Sequence, residues 1–220
     1  MHGRYHYCLF DLDGTLTDSQ EGILNCTVYA LKRLQLPVPD EATLKKFIGP
    51  PLTDSFERYC GCTHEQAVQA LKLYRERFAP VGLFENRLYP GIPEMLQSLK
   101  LQGKSIILAS SKPEEYALRI LEFFKIRSYF DLVVGATMDE KLVAKADIIE
   151  EVFCRLEAGQ AAKKQSVMVG DRKQDILGAR SRGVRVIGVR YGYAEPGELE
   201  ACGPDAYAAD VRGLTALLES

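Results

Sequence analysis

Two aspartates separated by one residue lie near the start of the chain, at a position suited to chemistry. They are Asp11 and Asp13 in the segment 11–15, which reads Asp-Leu-Asp-Gly-Thr and directly follows the apolar run Tyr7–Phe10. Such a run predicts a buried strand, and open α/β sheets bind ligands at the carboxyl ends of their strands. A bare Asp-x-Asp is also a common turn composition, but the preceding strand and the following Gly-Thr favour a pair of functional carboxylates.

A second apolar run with a carboxylate at its end occurs later in the chain. Residues 166–169 are followed by a Gly-Asp pair ending in Asp171, and another acid, Asp175, comes four residues later at the start of a predicted helix. Carboxylate oxygens are the hard ligands that Mg²⁺ prefers, so Asp11, Asp13 and Asp171 together predict a magnesium site. On its own, Asp175 is better explained as an acid in the first turn of a helix, where it interacts with the helix dipole.

Two further strand ends offer groups that bind phosphate. The apolar run before Ser110 ends in hydroxyls and then in Pro113, which suits the first turn of a helix, and a helix N-terminus beside a hydroxyl is an anion site. Lys145 follows another apolar run and supplies a positive charge, and Lys141 is a rival for this role. Taken singly, Ser110 is as well explained as a helix cap and Lys145 as a surface lysine.

Short apolar runs alternate with segments of helical spacing along most of the chain. The predicted strands are 7–10, 105–110, 132–134, 166–169 and 184–189, with a weak last strand near 206–209. The predicted helices between and after them are 92–101, 114–124, 145–156, 174–181 and 212–218. This alternation predicts an α/β fold with a doubly wound parallel sheet and right-handed crossovers.

The stretch after the first strand interrupts this alternation. It contains no convincing strand, Asp40 has the position of a helix cap, and residues 63–66 form a capping box for a later helix. An apolar stripe on its first helix is made of Leu24, Val28, Leu31 and Leu34. We therefore predict a helical domain at residues 19–85, inserted into an α/β core made of residues 1–18 and 86–220.

The composition argues against several partners and kinds of site. The 28 basic and 30 acidic residues give a formal net charge of −2, so no bulk charge attracts nucleic acid or a membrane surface. No apolar run has the length of a transmembrane helix, and the N-terminal sequence lacks the pattern of a signal peptide. The six cysteines are scattered and only three histidines are present, which predicts free thiols in a reducing cytoplasm instead of a zinc site.

The motifs resemble those of a known superfamily when they are taken in order. The segment 11–15, Ser110, Lys145 and the segment 170–175 are similar to the four motifs of the haloacid dehalogenase superfamily of phosphohydrolases. The helical insert resembles the cap of its phosphoglycolate phosphatase-like branch, and the loop 47–52 is similar to that of members known as 5′-nucleotidases. The resemblance covers essentially the whole chain. It implies a Rossmann-like core with a helical cap and a Mg²⁺-dependent phosphoric monoester hydrolase.

The resemblance also implies a role for each motif residue. Asp11 is the expected nucleophile that forms an aspartyl-phosphate, and Asp13 is the expected acid and base that protonates the leaving oxygen and then activates water. The residues implied in phosphate binding are Ser110, Ser111 and Lys145. The implied ligands of Mg²⁺ are Asp11, Asp13 through its backbone carbonyl, Asp171 and, directly or through water, Asp175.

Three functions are compatible with these motifs. The first is a phosphatase acting on a 5′-nucleotide, phosphoglycolate or another small phosphorylated metabolite, as a monomer or homodimer without a nucleic-acid or membrane partner. The second is a sugar phosphomutase of the same superfamily, which residues 20–36 disfavour because they lack the histidine of related mutases. The third is a non-catalytic regulatory binding protein, which needs no paired carboxylate.

Asp13 argues against dehalogenases and phosphonate-cleaving members, and Ser111 replaces the asparagine of many phosphoglycolate phosphatase-like proteins.

Overall fold

Strands and helices alternate through the part of the chain that the computed structural model describes, residues 5–139, 141–157 and 159–220. The strands are β1 (Tyr7–Phe10), β2 (Thr17–Asp18), β3 (Arg87–Leu88), β4 (Ser105–Pro113), β5 (Leu132–Ala136), β6 (Ser166–Gly170), β7 (Arg185–Val189) and β8 (Ala206–Ala208). The helices are α1 (Gln20–Arg33), α2 (Glu41–Lys45), α3 (Leu52–Cys60), α4 (His64–Arg77), α5 (Ile92–Leu101), α6 (Glu114–Phe123), α7 (Lys145–Arg155), α8 (Gln160–Lys164), α9 (Lys173–Ser181), α10 (Glu198–Cys202) and α11 (Val211–Glu219). The predicted assignment of residues 1–4 to the core lies outside the described residues.

Six of the strands form one sheet in the order β5-β4-β1-β6-β7-β8, and every pair is parallel. The chain builds the sheet outward from β1 in both directions, with helices between successive strands. Leu9, Ile107 and Met168 from the three central strands are fully buried in one apolar cluster with residues of α7 and α9. The predicted α/β fold with a doubly wound parallel sheet is therefore confirmed.

The register of the central strands brings the chemistry-bearing segments to one edge of the sheet. Phe10, the last residue of β1, lies beside Leu108 of β4 on one side and Val169 of β6 on the other. Because the strands are parallel, the segments that follow them leave the sheet at the same edge. Asp11 and Asp171 are thus neighbours in space although 160 residues separate them in the sequence.

Strand β4 is longer than predicted, which changes the expected geometry around Ser110. The strand continues to Pro113, and its register to β5 shifts between the pairs Ser110–Gly135 and Pro113–Ala136. Pro113 precedes the first turn of α6 instead of lying within it. The predicted helix 114–124 begins where it was expected, but pairing with β5 carries the strand three residues beyond Ser110, so Ser110 does not cap α6.

The described chain divides into two compact units. One extends to Thr17 and resumes at Leu88, and it contains the six-stranded sheet; the other is Asp18–Arg87 and contains α1 to α4. Strands β2 and β3 pair with each other where the chain passes between the units. Within the helical unit, Asp40 accepts a hydrogen bond from the N–H of Thr43 at 2.8 Å, as expected for the cap of α2. The capping box predicted at residues 63–66 is also present at the start of α4.

The predicted apolar face of α1 is wrong except at Leu31. The buried residues of α1 are Gly22, Ile23, Cys26, Thr27, Ala30 and Leu31. Small residues occupy this face because the segment after α4 returns very close to the helix. The N–H of Gly22 donates to the carbonyl oxygen of Glu85 at 3.1 Å, and a Cβ at Gly22 would overlap the carbonyl oxygen of Gly82. The backbone of the returning segment comes so close to α1 that glycine is needed at the contact. This contact, and not the positions of the larger side chains, determines which face of α1 is buried.

Two further findings concern the cysteines and the character of the helices. Every cysteine is a free thiol, as the scatter of the six cysteines predicts. Within the three described ranges, no helix combines the length and the apolar character that are needed to cross a membrane.

Candidate active site

Asp11 leaves β1 in a tight loop that is attached to the neighbouring strand. Its backbone N–H donates to the carbonyl oxygen of Val169 in β6 at 2.9 Å. The chain then turns at Gly14, whose φ of 80° lies in the left-handed region that glycine adopts without steric cost. The N–H of Gly14 donates to the carbonyl oxygen of Thr17 at 2.8 Å and closes the turn. Backbone hydrogen bonds, one to the neighbouring strand and one within the turn, therefore fix the Asp-Leu-Asp-Gly segment.

Three of the predicted carboxylates meet at the edge of the sheet. One oxygen from each of Asp11, Asp171 and Asp175 lies within 4.8 Å of the others. Asp171 and Asp175 are fully buried, whereas the Asp11 side chain retains 14% of its exposure. The carboxylate of Asp13 is not a member of this cluster. A set of hard oxygen donors this close together is able to share one divalent cation.

The carboxylate of Asp171 is held by the backbone around it. The N–H of Tyr193 donates to Asp171 Oδ2 at 2.7 Å, and the hydroxyl of Thr15 lies 3.5 Å from Oδ1. A Cβ at Gly14 or at Gly192 would overlap this carboxylate, so both positions exclude any side chain. Sequence reasoning missed Gly192 and Tyr193, which lie in the loop after β7, because no motif marks them.

Asp175 satisfies both interpretations of its position. It is the third residue of α9, and its Oδ2 accepts a hydrogen bond from the N–H of Arg172 at 3.0 Å, as an acid in a first helical turn does. Its Oδ1 lies in the carboxylate cluster, 2.9 Å from Lys145 Nζ. The Arg172 side chain pairs with Glu198 of α10 at 2.9 Å, which fixes the loop between β6 and α9 from the other side.

Lys145 is the cation that faces the cluster. Its Nζ lies 2.8 Å from Asp11 Oδ1 and 2.9 Å from Asp175 Oδ1, and it donates to the carbonyl oxygen of Ala109 at 2.9 Å. Lys145 therefore forms ion pairs with two of the three carboxylates of the cluster. Lys141, the rival from the sequence, is 84% exposed and pairs with Asp139 at 2.8 Å. Of the two lysines, Lys145 is therefore the one beside Asp11, and it is not a surface lysine.

Burial and the neighbouring charges change the pKa values of these groups. Burial lowers the pKa of the Lys145 ammonium, but Asp11 and Asp175 outweigh this effect, and the pKa lies above its usual value. Burial, then Asp175 and Asp11, raise the pKa of Asp171 well above its usual range. Burial also raises the pKa of Asp175, although Lys145 opposes this effect. The carboxylates thus repel one another, and a further positive charge would relieve that repulsion.

The two serines at the end of β4 lie in different surroundings. Ser110 is buried, and its hydroxyl oxygen accepts a hydrogen bond from the N–H of Lys112 at 3.3 Å. The hydroxyl of Ser111 donates to the carbonyl oxygen of Val143 at 3.0 Å, which attaches β4 to the segment before α7. Ser110 keeps its hydroxyl proton for another partner, whereas the proton of Ser111 is already used within the fold.

A lysine that the sequence analysis did not single out contacts Asp13. Lys112 Nζ lies 2.9 Å from Asp13 Oδ2, and the two side chains are 5% and 15% exposed. The other carboxylate oxygen, Asp13 Oδ1, is buried and has no hydrogen-bond partner among the described residues. The site therefore holds three aspartate–lysine contacts: Lys145 contacts Asp11 and Asp175, and Lys112 contacts Asp13.

A known protein family matches most of this chain. A family model described as haloacid dehalogenase-like hydrolase matches residues 8–189, the greater part of the chain, and this range includes the aspartates of the cluster, Asp13 and both of the lysines that contact them. This chain is a haloacid dehalogenase-like hydrolase. The resemblance drawn from its motifs is confirmed.

Several named relatives of the hydrolase are phosphatases. It is 42% identical over 217 residues to a protein of Pseudomonas aeruginosa named 5′-nucleotidase, covering 99% of this chain and 97% of that protein. It is 30% identical over 219 residues to a phosphoglycolate phosphatase of Vibrio parahaemolyticus, covering 96% and 93% of the two chains. A solved structure described as a predicted phosphatase from Clostridium acetobutylicum matches with a TM-score of 0.90 and 40% identity, over 96% of this chain and 97% of the other. The predicted enzyme class, a hydrolase of phosphate esters, is confirmed.

Replacement of Lys145 tests whether it balances the carboxylate cluster. We expect Lys145→Met to lower the free energy of unfolding by about 3 kcal/mol, measured by urea unfolding in EDTA, because removing one partner leaves buried charges uncompensated. The added change Asp175→Asn should recover part of the loss, since it removes one of the repelling carboxylates.

The matched control for this experiment is Lys141→Met, four residues away on an exposed side chain. It should leave the urea midpoint where it is. Equal shifts for the two lysine variants would contradict the role given to Lys145.

Proposed function

We propose that the hydrolase is a Mg²⁺-dependent phosphatase that hydrolyses small phosphate monoesters through an aspartyl-phosphate intermediate on Asp11. The observation that carries this proposal is the contact of Asp11 with Lys145 at 2.8 Å inside a cluster that also contains Asp171 and Asp175. A carboxylate attacks a phosphate anion only when their mutual repulsion is neutralised. The cluster supplies both the carboxylate and the means to neutralise the charges.

The residues of the cluster fit a divalent cation. The cluster has three carboxylates, of which Asp171 and Asp175 are buried, and Lys145 contacts two of the three. The pKa of Asp171 is raised because burial and the neighbouring acids disfavour its charged form. Asp11 and Asp171 would bind Mg²⁺ through carboxylate oxygens, Asp13 through its backbone carbonyl, and Asp175 directly or through water. When bound, Mg²⁺ supplies positive charge that the carboxylates and the substrate phosphate share.

The reaction has two steps, and both use Asp11 and Asp13. Asp11 attacks phosphorus and forms an acyl-phosphate bond while the bond to the leaving oxygen breaks, and Asp13 gives that oxygen a proton. Water then attacks phosphorus, Asp13 takes the proton from the water, and the bond to Asp11 breaks to release inorganic phosphate. Asp13 ends the cycle protonated again, so protons and bonds balance.

The transferring phosphoryl group is bound by the residues around Asp11. Ser110 donates its free hydroxyl proton, and Lys145 supplies positive charge from the side of α7. Ser111 contributes less, because its hydroxyl proton is already donated to the carbonyl oxygen of Val143.

The substrate class follows from the relatives and from the second unit. The named relatives include a 5′-nucleotidase and a phosphoglycolate phosphatase, both of which act on small phosphate monoesters. We assign the choice between such leaving groups to the helical unit Asp18–Arg87, the predicted cap, because the carboxylates and lysines of the other unit recognise only phosphate.

The two alternatives have less support. Helix α1 contains no histidine, the residue that related phosphomutases carry early in their first cap helix. A purely regulatory binding protein has no need for the second carboxylate, Asp13, or for the buried lysine in contact with it. Hydrolysis uses both aspartates.

Replacement of the nucleophile tests the reaction. We expect Asp11→Asn to reduce the hydrolysis of p-nitrophenyl phosphate in Mg²⁺ by at least about 1000-fold, because the amide cannot form the acyl phosphate. Its circular dichroism spectrum should match that of the parent protein. The control is Asp147→Asn on the exposed side of α7, which should keep full turnover. Substantial turnover by the Asp11 variant would remove Asp11 as the nucleophile.

Metal dependence is tested at Asp171. EDTA should stop hydrolysis and added Mg²⁺ should restore it, and Asp171→Asn should raise the half-saturating Mg²⁺ concentration by more than about tenfold. Without substrate, Mg²⁺ should raise the melting temperature of the parent protein and not that of the variant, because only a ligand bound to the folded state stabilises it.

Asp139→Asn, an exposed aspartate outside the cluster, is the matched control and should respond to Mg²⁺ like the parent protein. Undiminished turnover in EDTA would contradict the metal-dependent reaction.

A further inference from the structure

We propose that Lys112 is a positioning residue for Asp13, holding one carboxyl oxygen so that the other faces the leaving group. This inference rests on the proposed function, in which Asp13 protonates the leaving oxygen. It concerns the lysine that directly follows Ser110 and Ser111 in the second motif, to which the motif comparison gave no role.

The backbone of β4 brings Lys112 into the site by an irregularity. Between Ser110 and Pro113 the strand advances by three residues, while its partner β5 advances by only one, from Gly135 to Ala136. Extra residues of this kind form a bulge, which re-aims side chains and is common next to active sites. The N–H of Lys112 donates to the hydroxyl oxygen of Ser110 at 3.3 Å, so the bulge is fixed to the proposed phosphate-binding serine.

The contact between the two side chains is short and protected from water. Lys112 Nζ lies 2.9 Å from Asp13 Oδ2, and the side chains are almost completely buried. Asp13 Oδ1, by contrast, is buried without a hydrogen-bond partner in the described ranges of the chain. One oxygen of the carboxyl group is therefore fixed within the fold, and the other is left for an incoming group.

This arrangement suits a group that exchanges a proton. A protonated carboxyl group still accepts hydrogen bonds at its remaining lone pairs. Lys112 therefore remains a donor to Oδ2 whether Oδ1 carries the proton or has given it to the leaving oxygen. Proton transfer needs the acid within hydrogen-bond reach of its target, so fixing the orientation of Asp13 improves this transfer without adding a bond-making step.

A second lysine serves as a structural control because its burial is similar. Lys104 is 5% exposed, immediately precedes β4, and donates to the carbonyl oxygen of Tyr5 at 2.8 Å. The Lys104 ammonium therefore contacts a backbone carbonyl and not a carboxylate of the site. Lys104→Met therefore reports the cost of losing a buried lysine near this strand.

The test compares two aryl esters that differ mainly in the basicity of the leaving group. p-Nitrophenolate leaves readily without a proton, whereas phenolate benefits from the acid. The measured quantity is the ratio of kcat/KM for phenyl phosphate to that for p-nitrophenyl phosphate, which is independent of the fraction of active protein. We expect Lys112→Met to lower this ratio by about tenfold, the low end of what a general acid contributes. Lys104→Met should keep the parental ratio.

Two further variants make the result specific to Asp13. Lys112→Arg, which keeps a charged donor, should recover part of the ratio, and Lys112→Gln replaces the methionine variant if that protein does not fold. In an Asp13→Asn background, Lys112→Met should produce no further fall, because both changes remove the same oriented acid.

An equal fall in kcat/KM for both esters would overturn the inference and indicate that Lys112 acts on the phosphate. A further fall in the Asp13→Asn background would overturn it as well. Either result leaves the proposed function intact as long as Asp11→Asn is inactive, whereas an active Asp11→Asn protein would remove the proposed function itself.

Discussion

Electrostatic repulsion among three closely spaced carboxylates, two of them fully buried, is the constraint on which this end of the sheet depends. Asp11, Asp171 and Asp175 approach one another within 4.8 Å, and burial together with this proximity raises the pKa of Asp171 and of Asp175. Lys145 offsets part of the repulsion through contacts of 2.8 and 2.9 Å. Buried charges of this kind are costly without partners, and they concentrate at functional sites.

Backbone N–H groups offset much of the remaining cost of burying these carboxylates. The site needs this particular sheet because the sheet brings the carboxylates and these donors together. Parallel strands end at one edge, so β1 and β6 deliver Asp11 and Asp171 side by side. Backbone N–H groups of Arg172 and Tyr193 then donate to Asp175 and Asp171. Backbone donors cannot be lost by mutating a side chain, but the backbone must come very close to the carboxylate that accepts the hydrogen bond. Gly192 allows this close approach for Asp171, because any Cβ there would overlap the carboxylate.

The sequence predicts what depends on strand order and local pattern. The apolar runs predicted the parallel sheet, and their carboxyl ends predicted that Asp11 and Asp171 are close. What depends on close packing was not predictable. The bulge that turns Lys112 toward Asp13 arises from the pairing of β4 with β5, and no local pattern signals it. The buried face of α1 was predicted from its larger apolar residues, whereas contact between Gly22 and the returning segment selects small ones. The choice between Lys141 and Lys145 likewise required the position of α7.

The proposed reaction depends on a covalent bond between Asp11 and phosphorus. Acyl phosphates are reduced by borohydride to alcohols, whereas free carboxylates are not, so the intermediate leaves a permanent mark on the residue that carries it. The direct measurement is acid quenching of the protein during turnover of a phosphate monoester, followed by borohydride reduction, proteolysis and mass spectrometry. We expect homoserine at position 11 only when substrate was present. Unmodified Asp11 in protein quenched during rapid turnover, or homoserine at another aspartate, would contradict it.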